Sequence, residues 1–306
     1  ARIDFGGGGS DTRPFCDEFS GNVVNVAVER YTYARLQRRD DSRIIINSED
    51  YNIREEYENL EELSPDGVLA MAKAIVRNAA PGFGFELSFF SEIPPGSGLG
   101  TSGTFGVACA AIMDAATGKQ RTPAELASSA NHVERIQLGM PGGCQDSYPP
   151  AFGGLNHLRI SNGWSVEIEK LDCSTETLME LQRRSVVVYT GKAHVSGNIH
   201  HDIRENYSRE HSTARDAMHQ LARIAREMKQ ALERGALDAF GELLNANWEQ
   251  HKRLHPSCDC PELQQVFKAA APHMVGGKVC GGGGGGCIYF LAREGHRGAL
   301  ERECLA

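Results

Sequence analysis

The sequence predicts an α+β protein of two domains, and three observations carry that prediction. Strand-like and helix-like segments are mixed without regular βαβ alternation, which argues against a doubly wound parallel sheet. The chain has 306 residues, enough for two cores at the usual domain size. With 41% hydrophobic and 24% charged residues, it has the composition of a protein that folds around buried cores.

The elements follow in order. The run from Val23 to Leu36 is rich in β-branched and aromatic residues and reads as a strand, as does Arg43 to Ile46. Asp66 to Ala79 reads as a helix capped by Asp66. Glu86 to Ile93 is a strand ending in Pro94-Pro95. A glycine-rich loop, Gly96 to Gly103, then opens into Thr104 to Thr117. That segment is apolar on nearly every side and is stopped by Gly118, so it predicts a helix inside a core. Thr122-Pro123-Ala124-Glu125 is a capping box with proline at the first helical position, and Gly139 supplies a stop. Glu134 therefore lies on a helix. Strands follow at Leu155–Ile160, Ser165–Leu171 and Ser185–Tyr189. His200 to His251 is mostly helix, broken near Gly235. A shorter helix from Pro261, then strand, glycine turn and strand from Lys278 to Ala292, complete the pattern.

Charge and cysteine usage narrow the function classes. Lys and Arg total 32 against 40 Asp and Glu, and no basic run stands out. Nucleic-acid and membrane surfaces are met by clustered positive charge, so neither partner is expected. No apolar run approaches the roughly 18 residues of a membrane span. The opening Ala1-Arg2-Ile3-Asp4-Phe5 is no signal peptide. Nine cysteines fit no disulfide framework, and Cys258-x-Cys260 lacks a second pair to complete a metal site. Free thiols in a reducing cytoplasm are expected.

The most informative stretch is Pro95, Gly96, Ser97, Gly98, Leu99, Gly100, Thr101 and Ser102, between a strand and a buried helix. Glycines let the backbone approach a ligand closely and adopt positive φ. The following helix start presents unpaired N–H groups and about half a positive charge. Together they predict a di- or triphosphate site, with the Ser102 hydroxyl available to magnesium or a phosphate oxygen. No Gly-Lys-Ser/Thr follows, so the loop is not of the Walker type. The plain alternative is a tight strand–helix turn.

Here the chain resembles the GHMP kinases, whose second motif has the form P-x-x-x-G-L-G-S-S; Pro94 to Ser102 read P-P-G-S-G-L-G-T-S. The first motif is matched by Arg2 to Asp11 and the third by Lys278-Val279-Cys280 with Gly281 to Gly286. The closer likeness is to the heptose 7-phosphate kinase and fucokinase branch, through Gly21 to Asn25, Gly142 to Asp146, Phe152 to Asn156 and Asn245 to Leu254. The chain departs from that branch after Tyr189-Thr190-Gly191, where His194 stands near the position of an arginine. The resemblance implies an N-terminal ATP-binding lobe, 1–172, like the second domain of a ribosomal protein. It also implies a ferredoxin-like C-terminal lobe, 173–306. ATP and Mg2+ are the implied cofactors and a sugar or sugar phosphate the partner; a homodimer is left open.

Phosphoryl transfer draws most of its rate from positioning and charge neutralisation. Asp146 is the candidate base, in a loop just after Gly142-Gly143; the alternative is an Asx-turn before Ser147 and Pro149. The resemblance places Arg2 beside Asp146 and the transferring phosphate, where its charge would keep the carboxylate ionised; otherwise it is a surface arginine. Glu134 with Ser102 is the candidate magnesium pair, or else Glu134-Arg135 is a solvated pair on a helix face. The resemblance puts Ser10 and Asp11 in the sugar pocket, and Gly143, Gly283 and Gly284 bring backbone to the substrate. The histidines are expected to be surface or packing residues. The expected function is ATP-dependent phosphorylation of a sugar hydroxyl, the anomeric one, as on a heptose 7-phosphate. Alternatives are a C7-cyclitol or fucose-like acceptor, a non-catalytic sugar and ATP sensor, and an ATP-dependent decarboxylase.

Overall fold

The computed structural model describes residues 1–192, 196–209 and 212–305. Three sheets organise it. The first is antiparallel, in the order β1 (Arg2–Gly6), β2 (Gly21–Ala27), β7 (Leu155–Ser161), β8 (Ser165–Lys170). The second runs β3 (Thr32–Arg38), β6 (Phe85–Ser91), β4 (Ile44–Ser48), β5 (Ile53–Tyr57), with β4 and β6 parallel. The third is β10 (Met274–Val279), β11 (Cys287–Ala292), β9 (Ser185–Tyr189). The α+β expectation holds.

The first and third sheets share a core. Phe5 of β1 packs edge-on against Phe240 at 5.1 Å and lies 4.8 Å from Tyr289 of β11. Leu99 of the glycine loop, Met228 and Leu244 fill the space around them. Burying such a side chain contributes about 1.5–3 kcal/mol. The second sheet closes its own core against helices α2 (Ala70–Ala79) and α3 (Thr101–Thr117). The long span from 196 resolves into α7 (Ser196–Tyr207), α8 (Thr213–Glu233) and α9 (Leu237–Lys252), with the expected break at Gly235, φ 70°. The predicted capping box is present: Thr122 accepts from the Glu125 N–H and Glu125 accepts from the Thr122 N–H at 2.7 Å, opening α4 (Pro123–His132).

Several expectations are corrected. Val23 to Leu36 is not one strand; it breaks between β2 and β3, which belong to different sheets. Residue chemistry favours extension throughout, but the chain must turn a corner between two sheets. Asp66 does not cap α2, which starts at Ala70 with no side-chain cap. Asp66 instead reaches the buried Lys73 ammonium at 3.1 Å, which Glu55 also meets at 3.0 Å. Helix α3 begins at Thr101, not Thr104, so Thr101 and Ser102 lie in its first turn. The short helix α6 (Thr175–Arg184), capped by Ser174, and the terminal α11 (Arg297–Leu305) were not anticipated.

Candidate active site

The glycine loop is placed by backbone pairing on both sides. The Arg2 N–H donates to the Leu99 carbonyl at 3.0 Å, and the Cys287 N–H donates to the Ser97 carbonyl at 2.7 Å. The loop is thus held between β1 and the turn from β10 to β11. Gly96, Gly98 and Gly100 all have positive φ. At Gly98 a Cβ would meet the Cys280 carbonyl oxygen at 2.4 Å, so nothing but glycine fits without moving backbone.

This loop forms one wall of a cleft of about 380 Å³, within the usual range for small-molecule sites. Arg2 and Asp146 meet in its lining. The Arg2 Nη2 and Nε donate to Asp146 Oδ1 at 2.7 and 3.0 Å, and Nη1 donates to the Gly98 carbonyl at 2.5 Å. One guanidinium therefore ties the glycine-loop backbone to the carboxylate. Burial alone would raise the Asp146 carboxyl, but the charges of Arg2 and Arg135 outweigh it and hold it below the usual carboxylate range. Arg2 stays charged for the same reason: burial opposes its charge and Asp146 restores it. Asp146 sits in a single 3₁₀ turn, Gln145–Ser147, stacked on Gly103 of α3, where a Cβ would lie 2.5 Å from the Asp146 carbonyl carbon.

Glu134 lies in one turn of π-helix, Val133–Gln137, that continues α4. Such turns displace a side chain from the regular helical face. Glu134 is 1% exposed and Arg135 9%, so the pair is buried and the solvated-face alternative fails. Arg135 Nη2 approaches Glu134 at 3.3 Å and Asp146 at 3.8 Å, while its other nitrogens donate to the carbonyls of Gly143 and Pro141 at 2.8 and 2.9 Å. Both Glu134 carboxylate oxygens nonetheless lack a hydrogen-bond donor. Burial raises the Glu134 carboxyl, against the pull of Arg135 and the neighbouring Ser102 hydroxyl. Two undonated carboxylate oxygens beside a hydroxyl are hard donors of the kind Mg2+ takes together with phosphate oxygens and water. The Thr101 hydroxyl, at the first residue of α3, is equally unpartnered.

The remaining predicted residues divide. Asp11 and Gly143 line the cleft. Asp11 is buried and accepts the backbone N–H groups of Gly9 and Gln145, both at 3.1 Å. Ser10 is outside the cleft lining: its hydroxyl joins the Gly7 and Asn22 carbonyls at 2.7 and 3.1 Å and staples the loop to β2. Gly281 and Gly282 line the cleft, whereas Gly283 and Gly284 pack against the Ser257–Cys258 backbone. Ser97 and Leu99 are also buried outside the cleft lining, Leu99 in the core around Phe5. His194 lies outside the described residues. Sequence reasoning missed Arg135, the Asp4–Lys278 ion pair at 2.9 Å, and His200 and His251 in the lining. Only the tertiary arrangement gathers them.

Burial pushes the Asp11 carboxyl up to about 6, with the Gln145 N–H opposing it. The fold thus favours the protonated form. Its stabilising contribution is whole below pH about 4 and is lost as pH rises through 6. Melting curves of wild type and Asp11→Asn across pH 4–7 should show wild type losing ground to the variant as pH rises; a constant difference would remove Asp11 as the origin.

The family model for the GHMP kinases N terminal domain matches residues 67–154, and that for GHMP kinases C terminal matches 228–305. A D-glycero-alpha-D-manno-heptose 7-phosphate kinase of Campylobacter jejuni is 32% identical over 300 residues, 95% of this chain and 87% of the relative. The chain belongs to the GHMP kinases. The crystal structure of a D-glycero-D-manno-heptose 1-phosphate kinase from Bacteriodes thetaiotaomicron matches this GHMP kinase with a TM-score of 0.81 at 26% identity, covering 98% of it and 89% of that chain. A bifunctional fucokinase/GDP-fucose pyrophosphorylase of Arabidopsis thaliana is 24% identical over 99% of this GHMP kinase but only 30% of its own length.

Proposed function

We propose that this GHMP kinase transfers the γ-phosphoryl group of MgATP to the anomeric hydroxyl of a sugar or sugar phosphate, a heptose 7-phosphate foremost. The observation that carries the reading is the Arg2–Asp146 pair, fixed to the Gly98 backbone within the cleft. The Gly96–Ser102 loop and the start of α3 hold the triphosphate through backbone N–H groups. Asp146 accepts the proton of the attacking hydroxyl late in transfer, as suits a weak base, while Arg2 offsets charge on the migrating phosphoryl. Glu134 and Ser102 hold the magnesium, which would neutralise phosphate charge when bound.

A heptose phosphate is favoured by the sequence relative with the highest quoted identity, and a fucose-like acceptor by the more distant one. ADP release measured over a panel of heptoses, heptose phosphates, hexoses and cyclitols tests the reading. Turnover of a sugar supports it; binding throughout the panel without turnover would favour a sensor instead.

Glu134→Gln keeps the shape but removes the charge that a divalent ion needs. The magnesium concentration for half-maximal rate should rise about tenfold or more, the scale of one lost charged ligand contact. An unchanged titration would return Glu134 to a packing role. The division at 172/173 and a cytoplasmic location belong to the same proposal. The first rests on the link between β8 and α6, the second on nine free thiols. No helix among the described residues is long and apolar enough to cross a membrane.

A further inference from the structure

Two buried polar groups in the cleft are not used by phosphate, magnesium or the transferring proton. Asp4 and Gln145 are 1% and 6% exposed, and both line the cleft. They converge over Gly8: a Cβ there would lie 2.4 Å from Asp4 Oδ2 and 3.0 Å from Gln145 Nε2. Gly8 lines the cleft as well, so the space its side chain would fill lies beside these two groups. Asp4 Oδ2 accepts from Lys278 Nζ at 2.9 Å, and the same ammonium donates to the Asp4 carbonyl at 2.8 Å. Lys278 is fully buried, so this pair fixes the position of the carboxylate. Yet Asp4 Oδ1 and Gln145 Oε1 have no hydrogen-bond donor.

A buried acceptor without a donor is costly, and a ligand that supplies the donor recovers that cost. We propose that Asp4 and Gln145 are the specificity-determining acceptors of this kinase and read two hydroxyls of the acceptor substrate. The inference rests on the sugar-kinase reading and names the face of the sugar that must enter. Asp4 offers Oδ1 as an acceptor, so the part of the substrate over it carries a hydroxyl donor. Gln145 can turn its amide and meet a hydroxyl as acceptor or donor. A phosphate already on the substrate must point away from this pair, since its oxygens bring acceptors where the two buried acceptors need donors. Lys278 acts through Asp4 and is a positioning residue.

Gln145→Met is the sharpest test. It keeps length and bulk, removes the amide, and leaves the backbone N–H that donates to Asp11. With the sugar that wild type turns over best, KM for the sugar should rise about tenfold, the size of one lost buried hydrogen bond, while KM for ATP stays within twofold. The decisive measurement repeats this with singly deoxygenated analogues of that sugar. Wild type should lose about tenfold in kcat/KM on the analogue lacking the hydroxyl that Gln145 reads, and Gln145→Met should lose nothing further on it. Asp4→Asn should behave likewise toward a second analogue, with its melting temperature checked because Lys278 loses its counter-charge. If Gln145→Met discriminates among the deoxy series as wild type does, the proposal is overturned. Should no sugar be turned over by wild type, the kinase reading fails instead. Calorimetric binding of the same sugars would then still report whether affinity depends on Gln145.

Discussion

Asp146→Asn should lower kcat by about 10²–10⁴, the range for a lost acid–base group, while a non-hydrolysable ATP analogue binds within a few-fold of wild type. The variant keeps the side-chain shape and an oxygen for the Arg2 guanidinium, so the fold and the Gly98 contact should persist. What disappears is the negative charge able to take the hydroxyl proton. Because Arg2 and Arg135 hold the wild-type carboxyl below the usual range, its charge should not titrate near neutrality. The acid limb that Asp146 contributes to the wild-type rate profile should therefore lie below pH about 4. Single-turnover kinetics with saturating nucleotide separates the chemical step from product release. Near-normal single turnover in the variant would remove Asp146 from the mechanism.

Gly98→Ala should abolish useful nucleotide binding, with the analogue Kd raised about 100-fold or more. Two costs combine. At φ 79° an alanine is strained by roughly 1–2 kcal/mol. Its Cβ would also sit 2.4 Å from the Cys280 carbonyl oxygen. That oxygen belongs to the backbone at the start of the turn between β10 and β11, so it cannot swing aside as a flexible side chain would. The loop must move instead, and the Arg2 contact to the Gly98 carbonyl moves with it. Isothermal titration, with melting temperature as a control for folding, checks this. An affinity within twofold of wild type would show that the loop does not grip the triphosphate.

The legible parts of this protein were those written in local chemistry. The capping box at Thr122–Glu125, the glycine stop at Gly118 and the break at Gly235 act within a few residues, so their residue types decide them. The three glycine segments were legible because a close backbone approach excludes every larger residue. The corner between β2 and β3 was not legible, since Val23 to Leu36 favours extension throughout and only the sheets decide where it bends. Nor was the pairing of Lys73 with Glu55 and Asp66, because which acids meet a buried ammonium depends on how β5 and the segment before α2 pack against that helix.

By itself the sequence determined the class of fold and the glycine loop before α3, since turn, cap and glycine preferences are short-range properties of the chain. Tertiary structure alone decided which charges share the cleft. Beyond the Arg2–Asp146 pair that the family resemblance implied, it joined Asp4 to Lys278 across 274 positions, buried Arg135 beside Glu134, and turned Ser10, Gly283 and Gly284 away. The reason is physical. The energy of a charge depends on its neighbours and on the water excluded around it, and residues far apart in the chain become neighbours only when the sheets have closed on their cores.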